Sequence, residues 1–309
     1  MLVKNLLDVF RPKRWYRNLM MIIGVLIAVK VLNLDISQTF GGTNSWTFVA
    51  ALVSLCLIAS ANYGINEVLD APFDAKHPQK KHRAIPSGRI SAKLVVWISI
   101  GLYILGMAVV ALTTKWPLIA SVFLLLLSGI VYNIPPIRLK DRAYVDFTTE
   151  ALNNAIRLMI GWYVIASSSQ WVPASFVLAY WFIGVFLMAS KRFGEIRLIG
   201  DRKAAGEYRR SLAHYDEEHL LMSMIGALAA CYFMVGFLCF KYSVDIVIVL
   251  PFMVGWVIWF FKLAFEDNTI VKDPERIFEK KGFLSYSLLT GILFAYFFFS
   301  GSQFLNWIK

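Results

Sequence analysis

The 309-residue chain is 58% hydrophobic, with 24 Phe, 10 Trp and a mean hydropathy of +0.61. These values exclude an ordinary soluble domain and point to a membrane protein. A net charge of +11, from 31 Lys and Arg against 20 Asp and Glu, admits a nucleic-acid partner on its own. The cations fall in alternate loops between apolar runs, however, which is the pattern of membrane orientation, so no nucleic acid is expected.

Nine apolar runs are long enough to cross a bilayer as helices: 18–34, 46–66, 93–113, 116–134, 144–166, 171–190, 220–240, 244–265 and 284–304. The first follows Lys4, Arg11, Lys13, Arg14 and Arg17 and has no Ala-x-Ala-like exit, so it reads as a retained span and not a signal peptide. Further basic clusters follow the second run (Lys76, Lys80, Lys81, Arg83, Arg89) and the fourth (Arg138, Lys140, Arg142). Others follow the sixth (Lys191, Arg192, Arg197, Arg202, Lys203, Arg209, Arg210) and the eighth (Lys272, Arg276, Lys280, Lys281). The intervening connections hold only Lys115 and Lys241. This alternation predicts a multi-pass protein with a cytoplasmic N-terminus and an external C-terminus; its expected location is a bacterial inner (cell) membrane. Cys56, Cys231 and Cys239 lie inside apolar runs without CxxC or Cys/His spacing, so structural thiols are expected. No repeat or linker divides the sequence, and one all-α transmembrane domain over 1–309 is the simplest reading.

Leaving the second run, the chain reads NEVLDAPFD, residues 66–74. Glu67 and Asp70 share a helical face, and Pro72 is expected to disturb the helix so that Asp74 turns back toward them. Three converging carboxylates repel at the edge of lipid, whereas Mg²⁺ wants a few hard oxygens and carries substrate phosphates. Asn66 adds a neutral oxygen. The plainer alternative is a helix end whose acids pair with Lys76, Lys80 or Lys81.

The fifth run, YVDFTTEALNNAIRLMIGWY, carries Asp146, Glu150, Asn153, Asn154 and Arg157 at intervals of 4, 3, 1 and 3. At about 100° per residue they occupy an arc of about 100°. Such a stripe must face protein or a water-filled cavity. A cavity open to the cytoplasm is expected, with a polar helix–helix seam as the alternative. After the sixth run, SKRFGEIR brings Lys191 and Glu195 to i and i+4 with Arg192 alongside. Lys and the planar fork of Arg suit a diphosphate or a phosphorylated acceptor, although orientation bias alone accounts for cations in such a loop.

NEVLDAPFD resembles the NDxxDxxxD signature of the UbiA-type intramembrane prenyltransferase superfamily, with Glu67 in place of Asp. The following KHPQKKHRAIPSGRIS resembles its HPxKRxRPIxxGxxS continuation, with Ala84 in place of Pro. The resemblance implies nine transmembrane helices around a central cavity open to the cytoplasmic side. Within the superfamily the likeness is to the decaprenyl-phosphate phosphoribosyltransferase branch. RPKRWYRN at 11–18 resembles its entrance, Asp146 and Arg157 match its spacing on the fifth helix, and SKRFGEIR resembles its KRxxEL segment.

The implied reaction ionises the C–O bond of a diphosphate donor, with Mg²⁺ on Glu67, Asp70 and Asp74 and fixed cations at Lys81, Arg83, Lys191 and Arg192, Glu195 accompanying the last two. Asp146, Glu150, Asn153 and Asn154 are expected to hold ribose hydroxyls or to stabilise developing positive charge. Arg138, Lys140 or Arg157 is expected to position a polyprenyl phosphate nucleophile. The donor reads as phosphoribosyl diphosphate, with transfer of a polyprenyl group to an aromatic or other polar acceptor as the alternative. A secondary transporter also carries intramembrane charge, but the ionisable groups here gather toward the cytoplasmic loops and no internal symmetry is visible.

Overall fold

A computed structural model describes residues 2–35, 41–75, 80–266 and 279–300. The described chain is helical and packs as two compact units, Met1–Val172 and Pro173–Lys309.

The first unit contains α1 (Leu2–Phe10), a 3₁₀ strap (Pro12–Met20), α2 (Met21–Val31), α3 (Thr43–Asp74), α4 (Ala92–Ala111), α5 (Trp116–Asn133) and α6 (Val145–Ile165). Helix α6 is its centre, packing against α2, α3 and α5. Ala151, Ala155, Ile156, Leu158 and the run Ile160–Ile165 are buried. Its approach to α2 rests on two glycines. A Cβ on Gly161 would strike the Met21 carbonyl oxygen, and one on Gly24 the Leu158 carbonyl oxygen, so only glycine lets the two backbones come this close. A smaller apolar core, Val9, Phe10, Ala84, Ile85, Ile90 and Val95, fastens the loop after α3 onto α1. Ala84 is 2% exposed within it.

The second unit contains α7 (Ala174–Ile199), α8 (Arg202–Tyr208), a 3₁₀ turn (Arg210–His214), α9 (Glu217–Lys241), a 3₁₀ segment (Val244–Val249), α10 (Leu250–Glu266) and α11 (Lys281–Phe299). Helices α7 and α9 form its principal pair. Phe186, Trp256, Phe260 and Phe283 interlock beside them, with ring centroids 4.8 Å apart for Phe186 and Phe260 and 5.3 Å for Trp256 and Phe283.

Seven helices among the described residues are long and apolar enough to cross a membrane. Two of the nine expected runs fall short for different reasons. The run 18–34 is divided between the strap and an 11-residue α2, because Pro12 and the left-handed Arg11 (φ +49°) set up a tight 3₁₀ helix first. The run 144–166 does form α6, but its polar stripe takes it out of the apolar set. Pro72 departs from expectation as well. It sits inside α3, which continues to Asp74 with the Ala75 amide donating to the Ala71 carbonyl at 3.0 Å. One lost ladder bond near the end of a 32-residue helix does not break it.

The basic loops set a test of sidedness. Ser87 is exposed, whereas Ser211 is fully buried and would stay unlabelled on either side of a membrane; Lys203 is the exposed position in that loop. Cysteine at Ser87 or Lys203 should react with an impermeant maleimide only after cells are opened. All three native cysteines are buried and leave the background low. Labelling in intact cells at either position would invert the expected orientation.

Candidate active site

Because α3 runs on through Pro72, Glu67, Asp70 and Asp74 lie on successive turns within about 60° of one another. They do not converge. Each instead meets a cation delivered by a different segment. Arg11 Nη2 donates to Glu67 Oε2 at 3.1 Å, Arg83 Nη1 to Asp74 Oδ2 at 2.6 Å, and Arg138 Nη2 to Asp70 Oδ1 at 3.2 Å. Glu67 and Asp74 are buried, which carboxylates tolerate when paired. Of the three lysines first expected as partners, Lys76 lies outside the described residues, as does the side chain of Lys80. Lys81 is exposed on the turn Lys80–His82.

Lys140 adds a second cation to Asp70, and its place differs from the expected one. Its side chain is 7% exposed. Its ammonium donates to Asp70 Oδ1 at 2.5 Å, Asn66 Oδ1 at 3.0 Å and Asn133 Oδ1 at 3.1 Å. Three N–H donors thus meet three oxygens, so Lys140 ties the acidic motif to the end of α5 instead of awaiting a lipid phosphate. Arg138 pairs with Asp141 at 3.0 Å and lies over the Phe73 ring. Both Arg138 (φ +33°) and Arg11 adopt left-handed backbone, a strained conformation for non-glycine residues that concentrates at functional sites.

In the sequence the strap was legible as a cluster of positive charges and as the RPKRWYRN resemblance, not as a 3₁₀ helix. It runs antiparallel to α3: Arg11 meets Glu67, Trp15 Nε1 donates to Ser60 Oγ at 3.0 Å, and Asn18 Nδ2 to Cys56 Sγ at 3.4 Å. Arg11 and Arg14 both lie over the Tyr63 ring, 5.4 and 5.7 Å from its centroid. Burial, with the neighbouring charges of Arg83 and Arg14, lowers the pKa of Arg11 below the usual arginine value, while Glu67 opposes the shift. The strap also reaches α6, since Arg157 Nε donates to Asn18 Oδ1 at 3.0 Å.

The stripe on α6 finds partners on its neighbours. Tyr132 Oη donates to Glu150 Oε2 at 3.1 Å, Ser128 Oγ to Asn153 Oδ1 at 3.0 Å, and Arg157 Nη1 to Asn154 Oδ1 at 3.4 Å. Asp146 is fully buried in the first turn, where the helix dipole favours a carboxylate. Part of the stripe therefore meets α5 and the strap, while Glu150, Asn153, Asn154 and Arg157 stay half-buried. Tyr132 and Ser128 went unnoticed in the sequence, where polar groups inside an apolar run were the available signal; Asn18 was read only as the end of RPKRWYRN.

In the second unit, Arg192 is fully buried on α7 and donates from Nη1 to Glu195 Oε2 at 3.1 Å, one turn on. Lys191 is half-buried beside it. Tyr208 on α8 has its pKa raised by burial and then by Glu195, with Lys191, Arg209 and Arg192 opposing. Arg192 and Glu195 therefore form a buried ion pair, with Lys191 next to it in sequence and the Tyr208 hydroxyl within its electrostatic reach.

Among the described residues no three His, Cys, Asp or Glu gather closely enough to hold a metal by themselves. The donor chemistry still fits Mg²⁺, which needs one or two carboxylates and completes its shell with waters and substrate phosphate oxygens.

The model of the UbiA prenyltransferase family matches residues 36–285. Decaprenyl-phosphate phosphoribosyltransferases of Mycolicibacterium smegmatis and Mycobacterium tuberculosis are 29% and 27% identical over 223 and 229 residues. Each alignment covers 71% of this chain; it spans 65% of the first relative's length and 68% of the second's. A UbiA homologue from Archaeoglobus fulgidus, solved bound to DMAPP and Mg²⁺, superposes with a TM-score of 0.68. That superposition covers 97% of this chain and 100% of that one at 17% identity, a likeness of fold. The matched stretch takes in the acids of α3, the loop that supplies Arg83 and the whole of α6, and it continues into α11; the chain belongs to the UbiA prenyltransferase family.

Proposed function

We propose that this integral membrane protein is a Mg²⁺-dependent transferase that ionises a diphosphate donor and passes phosphoribosyl from phosphoribosyl diphosphate to a polyprenyl phosphate, at the cytoplasmic face of a bacterial cell membrane. One observation carries the reading: three acids on successive turns of one helix are each matched to a cation from elsewhere in the fold. A diphosphate with its metal is the ligand that such an arrangement suits, because the metal takes carboxylates and the phosphates take the cations.

One or two of Glu67, Asp70 and Asp74 would hold Mg²⁺, with waters and phosphate oxygens completing its shell, and the ion when bound would neutralise charge on the leaving diphosphate. Arg83 and Arg138 stand beside these acids as fixed donors to its oxygens. In the second unit, considered by itself, Lys191 and the buried Arg192 stand beside Glu195 and suit an anionic group. The mixed acceptors and amides of Glu150, Asn153 and Asn154 suit ribose hydroxyls. The phosphoribosyltransferase relatives support this donor. Prenyl transfer to an aromatic or other polar acceptor is the second reading, supported by the Archaeoglobus fulgidus homologue solved with GPP and Mg²⁺.

The donor is tested by thermal protection in detergent with Mg²⁺ present. Phosphoribosyl diphosphate should raise the Tm by several degrees and a short prenyl diphosphate by less. Asn154→Leu and Glu150→Gln should each remove at least half of the protection by phosphoribosyl diphosphate. Glu150→Gln keeps an acceptor for Tyr132 Oη, so the unliganded Tm should change little. Protection by prenyl diphosphate alone, followed by prenyl transfer to an aromatic acid, would replace the phosphoribosyl reading with the second one.

A further inference from the structure

Helix α1 supplies no residue to the candidate site, and its surface divides by i, i+4 pairs into three flanks, each about 100° from the next. Asn5 and Val9 are buried with Phe10 against the protein, and Asn5 Nδ2 donates to the Arg89 carbonyl at 3.4 Å. Lys4 and Asp8 are exposed and charged. Val3 and Leu7 are exposed and apolar, at 68% and 53%. With 9 residues the helix is too short to cross a bilayer. Its position is nonetheless fixed by helices that are long enough. Val9 and Phe10 share a core with Val95 of α4, and Ile98 and Leu102 pack on that core. The Phe10 ring closes on Gly64 of α3, where a Cβ would lie 2.7 Å from Phe10 Cε1 and 2.5 Å from Ser99 Oγ. Ser99 and Leu102 stand about 10 to 15 Å along α4 from its first residue, Ala92.

We propose that α1 is an in-plane membrane helix, with Val3 and Leu7 seated among lipid acyl chains, Lys4 and Asp8 in water, and the bilayer as the partner that covers the open apolar flank. Depth selects this occupant. The buried flank of α1 meets α4 well beyond its first turn. On the same stretch of α4, a helix long and apolar enough to cross a membrane, Trp97 is 65% exposed, so the surface beside α1 is lipid-facing. Helices of this kind bury their apolar face roughly 5–10 Å into the boundary between headgroups and acyl chains. The charges of Lys4 and Asp8 offset each other, so the contact is with acyl chains and not with anionic headgroups. The core that seats α1 also holds Ala84, Ile85 and Ile90 of the loop that brings Arg83 to Asp74. This seating depends on neither the donor nor the acceptor.

Val3→Cys, Lys4→Cys, Leu7→Cys and Asp8→Cys alter exposed positions, and the three native cysteines are buried. Each full-length variant therefore takes a single bimane label in detergent before reconstitution into phosphatidylcholine vesicles. Quenching by iodide, present on both sides of the membrane, is compared with quenching by a phosphatidylcholine that carries a nitroxide near the top of its acyl chain. The lipid nitroxide should quench Val3→Cys and Leu7→Cys at least about threefold more than Lys4→Cys and Asp8→Cys, and iodide should show the reverse order. Replacing part of the lipid with phosphatidylglycerol should leave that pattern unchanged. Iodide reaching all four positions equally would place α1 in water and overturn the proposal. Weak quenching by both agents at Val3→Cys and Leu7→Cys would mean that protein covers the flank, as a second copy would, and overturns the lipid assignment. A pattern that appears only with phosphatidylglycerol would move the contact to the headgroups and overturn the acyl seating.

Discussion

Asp70→Asn should reduce turnover at least about 100-fold while the protein remains folded, which corresponds to about 3 kcal/mol of transition-state stabilisation. The amide keeps an oxygen where Asp70 Oδ1 now accepts from Lys140 at 2.5 Å and from Arg138 at 3.2 Å. It removes the negative charge that Mg²⁺ needs from a hard ligand. Asp74→Asn should act in the same direction. There the partner is Arg83, whose half-buried side chain water can still reach. The fold should survive for a reason the sequence did not offer. Each acid is balanced by its own cation, so neutralising one leaves the other two paired. Activity at limiting Mg²⁺ and the unfolding midpoint, measured on the same preparations, separate the two effects. Wild-type turnover in Asp70→Asn would reduce the motif to a structural role at the end of α3.

The chemistry of this unit was legible in sequence because charge near lipid is costly and therefore informative. NEVLDAPFD and the five-residue stripe on α6 stood out from their apolar surroundings on that ground alone. Their pairings were not legible. Arg11 lies 56 residues from Glu67 and Lys140 lies 70 from Asp70, and no local periodicity reports which loop folds back onto which helix. The strap was misread for a related reason. Counting apolar residues from 18 onward hid the fact that Pro12 and Arg11 had already set a 3₁₀ path along α3. For α6, the 100° arc gave the polar face correctly but left open what that face meets. The answer depended on Ser128 and Tyr132, polar side chains in a run read only as apolar.

Lys140→Met should cost the protein about 3 to 5 kcal/mol, the usual penalty for removing one partner of a buried ionic group. Nothing near Lys140 in sequence marks it for burial, since it sits among Arg138 and Arg142 in what reads as an orienting loop. Its ammonium is nonetheless where α3, the end of α5 and the approach to α6 are joined, through Asn66, Asp70 and Asn133. Methionine fills a similar volume but leaves those three oxygens without their shared donor, and Asp70 with only Arg138. The expected readout is a marked fall in Tm together with lost activity, which alone would not separate a structural role from a chemical one. The Lys140→Met, Asp70→Asn double variant makes that separation. If part of the cost of the single change is the cation lost from Asp70, neutralising Asp70 should restore part of the stability, giving a coupling of about 1 to 3 kcal/mol, while the proposed role of Asp70 toward Mg²⁺ predicts that activity stays lost. Strictly additive losses would show that Lys140 and Asp70 do not act as a pair, and the link from the acidic motif to α5 would then have to run through Asn66 and Asn133 alone.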